Sequence, residues 1–192
     1  MTNSGSAPWS ASNIQTDQIR LQNAFRVLCT PDHKLREKAI ELRQEISSKW
    51  GKHAAQNQWF RWPTTTAPPG VRRLNGVEWR QRGMLSFLGY HVGETDPAPP
   101  NVRWRILEYA FECHLPPLDG PAYYLEWGMP LTAQRLKKMA NTLAALTRNA
   151  KRRDAMSYGK AIDDWEDDLA LLCDKYYLDF FHFGWPATHV LQ

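Results

Sequence analysis

The chain has 192 residues, 43% of them hydrophobic, and a formal net charge of +4. That is enough apolar material for a core in one domain, which excludes disorder throughout. No run approaches the ~18 apolar residues of a membrane span, and the polar N-terminus lacks the basic start and apolar core of a secretory signal.

Residues 1–13 are rich in Ser, Asn, Thr and Ala without apolar period, so they read as a flexible arm. Helical spacing begins with Ile14, Gln18, Leu21, Phe25 and Leu28. Thr30-Pro31-Asp32 is a restart: Thr30 can cap, Pro31 suits the first helical position, and Asp32 suits the helix dipole. The next helix places Leu35, Ala39, Leu42, Ile46 and Trp50 on one stripe and is expected to stop at Gly51. Residues 14–51 therefore predict a helical hairpin.

Residues 52–100 predict a loop-rich middle. The stretch from Trp59 through Gly70 contains three prolines and cannot be a regular helix. A short helix is expected over 77–88, a brief extended piece at Tyr90-His91-Val92, and a rigid extended linker at Asp96-Pro97-Ala98-Pro99-Pro100. Residues 101–192 predict a helical core. A helix over 101–115 buries Ile106, Leu107, Ala110, Phe111 and Cys113, and a short one follows over 121–127. Thr132 caps a helix to about Lys151, with Leu136, Met139, Ala140, Leu143, Leu146 and Ala150 inward. A last helix over 156–177 turns Ile162, Trp165, Leu169, Leu172 and Tyr176 inward, leaving Asp163, Glu166, Asp167 and Asp174 outside. The aromatic tail, 176–185, reads as a docked segment. The predicted fold is thus mainly α: a single-domain helical bundle of six or seven helices with a Pro/Trp/Arg-rich central loop.

The motifs Leu115-Pro116-Pro117, Glu126-Trp127-Gly128-Met129-Pro130 and Arg135-Leu136-Lys137-Lys138-Met139-Ala140 resemble a group of uncharacterised bacterial proteins. So do Asn149-Ala150-Lys151-Arg152-Arg153-Asp154, Ala161-Ile162, Trp165-Glu166 and Asp168-Leu169. The similarity covers about residues 83–180. It implies a bacterial, cytoplasmic setting and no catalytic residues.

Chemistry is sparse. The chain contains neither G-x-x-x-x-G-K-[ST] nor G-x-G-x-x-G, and Ser86 lies between Gly83 and Gly89 at the wrong spacing for a nucleophile elbow. Cys29, Cys113 and Cys173 form no C-x-x-C pair and read as reduced thiols, as in a cytoplasm. Cys113-His114 with His182 and His189 is a poor zinc set, because adjacent helical residues point about 100° apart. Asp163 with Asp167 and Asp164 with Asp168, each at i, i+4, could grip a divalent ion as a nuclease does. The competing reading is a solvated exterior around Trp165, with Lys160 pairing to Asp164. No cofactor is expected.

Charge is more telling. Residues 1–153 carry 22 basic and 12 acidic residues, a surplus of +10, whereas 154–192 carry 2 basic and 8 acidic, a deficit of −6. Within 131–153 lie Arg135, Lys137, Lys138, Arg148, Lys151, Arg152 and Arg153 and no acid. Lys138, Arg148 and Arg152 share a face that could meet successive phosphates. The same charges could instead balance an acidic partner helix. Residues 50–82 mix Trp50, Trp59, Phe60, Trp62 and Trp79 with Arg61, Arg72, Arg73, Arg80 and Arg82. Such rings can stack unpaired bases, or staple the loop to the helices. The sequence therefore predicts a non-catalytic bacterial accessory module whose basic surface contacts nucleic acid, alongside a larger protein partner. A protein-only adaptor is the second reading and a metal-dependent nuclease the third.

Overall fold

The computed structural model describes residues 11–60, 83–118 and 120–190. Within them the chain is mainly helical, as the apolar periods predict, and contains no β-strand. The elements are α1 (Ala11–Val27), α2 (His33–Ala55), α3 (Met84–Phe87), α4 (Pro100–Glu112), α5 (Pro121–Trp127), α6 (Ala133–Asp154) and α7 (Gly159–Leu172), continued by a π-turn over Cys173–Tyr177. An isolated parallel bridge, Phe60 to Leu118, is the only β pairing among the described residues. None of their helices is long and apolar enough to cross a membrane.

Helix α1 starts at Ala11, inside the expected arm. Thr30 closes it by donating to the Val27 carbonyl at 2.8 Å, and Asp32, not Thr30, caps α2 by accepting from Leu35 N at 3.1 Å. Gly51 does not end α2. It is glycine for another reason: a Cβ there would meet the His114 ring at 2.9 Å. Leu35 is 46% exposed, because residues 31–38 project beyond the core.

The core is built where α1, α2, α4, α6 and α7 converge. Leu21, Phe25, Ile46, Trp50, Leu107, Tyr109, Met139, Leu143 and Leu172 are all buried. Trp50, Phe25 and Tyr109 meet edge-on, a geometry that aromatic quadrupoles favour. Helices α6 and α7 form an antiparallel hairpin across a four-residue turn. Thr132 caps α6 as expected, while α7 is shorter than the 156–177 predicted and gives way to the π-turn. Phe181, Phe183 and Trp185 pack against the core, and Phe111 touches both Tyr176 and Phe181.

Candidate functional site

The carboxylates proposed as metal ligands divide between two faces of α7. Asp163 and Asp167 are exposed, whereas Asp164 and Asp168 are 2% and 1% exposed. The acidic run is therefore not a solvated exterior throughout. Arg103, on the buried side of α4, donates from Nε to Asp168 Oδ2 at 2.7 Å and lies 3.2 Å from Asp164 through Nη2. Tyr90 donates to the same Asp168 oxygen at 2.6 Å, Gly93 N donates to Asp164 at 3.1 Å, and Lys160 pairs with Asp164. Burial lifts the Asp168 carboxyl above its usual range despite these donors. At Asp164 burial acts the same way, but Lys160, the Gly93 N–H and Arg103 outweigh it and hold the carboxyl low. A guanidinium fills the position a cation would need, so this constellation acts as an internal clasp between α4, α7 and the 90–98 loop.

Arg135 has a comparable role without any carboxylate. It is fully buried. Its Nε donates to the carbonyl of Trp127 at 2.9 Å, Nη2 to Gly128 at 2.6 Å, and Nη1 to Ala110 at 2.6 Å and Cys113 at 3.1 Å. These oxygens lie at the C-terminal ends of α4 and α5, where carbonyls lack helical partners and the dipole favours a cation. Burial pulls this guanidinium down to about 10, which still leaves it charged at neutral pH.

The surface cations of α6 are partly engaged. Lys138 pairs with Glu126 at 2.6 Å and Lys151 with Glu166 at 2.7 Å. Arg148 donates to the Ala187 carbonyl at 2.5 Å and so ties down the tail. Arg153 lies over the Tyr158 ring at 5.7 Å. Lys137 and Arg152 are exposed and form no ion pair with a described residue. Lys138, Arg148 and Arg152 thus share the helix without sharing a free surface. Arg61, Arg72, Arg73 and Arg80, like Trp62 and Trp79, lie outside the described residues.

Cys113, His114, His182 and His189 are not drawn together, and no group of three His, Cys, Asp or Glu among the described residues could hold a metal ion. Burial pushes the Cys113 thiol up, against Arg43 and Ser47, which disfavours a thiolate nucleophile. A cavity of about 200 Å³ between α1 and the 88–99 loop has Phe25, Val102 and Ile106 in its wall and Arg26, His91 and Asp96 at its rim; both of its charged side chains are exposed.

Sequence reasoning missed Arg103 and Arg135 as structural centres. The signal was phase: Arg103 precedes Ile106 and Leu107 by three and four positions, and Arg135 precedes Met139 by four, so both fall on apolar stripes. No protein-family model, curated protein or solved structure matches this chain.

Proposed function

We propose that the chain is a non-catalytic accessory module that meets nucleic acid through the basic end of the α6–α7 hairpin, beside a larger protein partner. One observation carries this reading: Arg152 and Arg153 are exposed at the end of a helix with no acid between Ala133 and Arg153. Neither is held in an ion pair with a described residue. Contact with phosphate would use these two charges first, since Lys138, Arg148 and Lys151 are engaged within the fold.

The test is Arg152→Glu/Arg153→Glu. Affinity for unrelated DNA and RNA sequences should fall together, and the slope of log K against log salt should decrease by about 2. Absence of binding by the wild type at low salt would refute the reading. A protein-only adaptor is the second reading, favoured by Leu125, Met129 and Leu131, each more than half exposed within seven residues.

A further inference from the structure

Leu131 occupies a position that suits it poorly. Its φ is +60°, in the left-handed region that glycine or asparagine enters far more readily than a leucine, and its side chain is 60% exposed. The fold thus bears a conformational cost for a leucine that contributes little to the core. The backbone around it is firmly held. Leu131 N donates to Phe111 O at 2.9 Å, Thr132 Oγ1 to Met129 O and Gln134 Nε2 to Leu125 O, both at 2.7 Å, and Arg135 takes the carbonyls of Trp127 and Gly128. Leu125 and Met129, 65% and 55% exposed, stand on the same platform. Beyond it, Lys137 and Asn141 open the outward face of α6.

The complement of this surface is present on the same chain. Along α7 and the π-turn, Asp163, Asp167, Leu171 and Asp174 recur at intervals of four, four and three, all exposed. None of these three acids pairs with a described cation, and Leu178 follows, 61% exposed. Because α6 and α7 are antiparallel, the start of α6 and the end of α7 lie at one end of the hairpin. Both exposed apolar sets therefore fall at that end, one beside the exposed Lys137 and one beside the exposed Asp174. A two-fold axis would set each set on its opposite in the other copy, giving a self-complementary contact with paired charges.

We infer that the Leu125–Leu131 platform and the outer face of α7 dock on each other between two copies of this chain. Its apolar part lies at the opposite end of the hairpin from Arg152 and Arg153.

Sedimentation velocity of the full chain at low salt, from about 1 to 200 μM, should show a monomer–dimer equilibrium that weakens with added salt. Leu131→Gly should weaken it by about tenfold or more, as loss of a central apolar anchor does, while the thermal midpoint measured at monomeric concentration stays level or rises. A merely structural leucine would move these readouts the other way, with stability lost and association kept. Asp167→Lys/Asp174→Lys and Lys137→Glu/Asn141→Glu should each abolish association alone and restore it when mixed. A monomer at every concentration, a dimer indifferent to Leu131→Gly, or reversal variants that fail to rescue each other would overturn the inference. Helical circular dichroism of every variant should match that of the wild type, since these changes lie on the surface.

Discussion

Arg103 Nε and Asp168 Oδ2 lie 2.7 Å apart, joining α4 to α7 across 65 positions of the chain, and both side chains are buried. The guanidinium also contacts Asp164 and donates to the Ala98 carbonyl at 3.2 Å, so one side chain fixes two helices and the loop between α3 and α4. A buried pair of this kind is costly to break, because the surviving charges keep their desolvation penalty and lose their partner. Arg103→Met should therefore lower the unfolding free energy by about 3–5 kcal/mol in urea titrations. Replacing Arg103, Asp164 and Asp168 together by Met, Leu and Leu should recover much of that loss. A single-variant cost below about 1 kcal/mol would show that water reaches the clasp.

Arg135→Met should also be severe. It leaves four carbonyl oxygens, those of Ala110, Cys113, Trp127 and Gly128, without their donor. Each orphaned buried acceptor costs on the order of 1–3 kcal/mol, though not additively, so about 3 kcal/mol or more is expected. Arg135→Lys should recover less than half of it, since one ammonium cannot span two helix ends as a planar fork does. Calorimetric unfolding of both variants decides between a fork and a point charge.

Gly128 supplies the turn that Arg135 grips. Its φ is +73°, and a Cβ there would meet Gln134 at 2.9 Å. The flexible Gln134 can yield, so the cost of Gly128→Ala is mainly conformational, about 1–3 kcal/mol, because ψ is −178° and this backbone region is essentially confined to glycine. Gly159→Ala is the control: nothing lies within 4 Å of its Cβ position, and thermal melting should find it neutral or slightly stabilising.

Stability should decline in acid, with an identifiable carboxylate responsible. Burial would raise the Glu108 carboxyl, but Lys175 and Arg105 outweigh it and hold it below its ordinary value of 4.5. A depressed native value means that its contribution is present above the unfolded value and lost as pH falls through the native one. Asp164 acts with the same sign. Asp168, raised by burial, acts oppositely, its contribution fading as pH rises through the native value. Glu108→Gln should therefore flatten the acid limb of a melting temperature–pH profile. An unchanged limb would mean that Lys175 and Arg105 do not hold the native carboxylate.

The helices were legible because their evidence is local. Apolar residues three and four apart mark the buried stripes of α1, α4, α6 and α7, Thr132 is a cap on its own residues, and the charge division between residues 1–153 and 154–192 is plain arithmetic. Short-range signals also misled in places. Gly51 resembles a helix stop until the His114 ring is seen beside it, and Leu35 matches the α2 stripe although it stays half-exposed.

Tertiary structure alone decided which charges are surface and which are architecture. Arg135 belongs to a run of seven cations in sequence, yet it is buried beneath two helix ends. Asp164 and Asp168 resemble their neighbours Asp163 and Asp167, yet they face Arg103 from the inner side of α7. Helical phase could have flagged all three, since each lies in register with apolar residues. Phase does not name the partner, because Arg103 and the carbonyl of Ala110 come from distant segments. A charge is buried only where such partners converge to repay its desolvation, and that convergence exists only once the chain has folded.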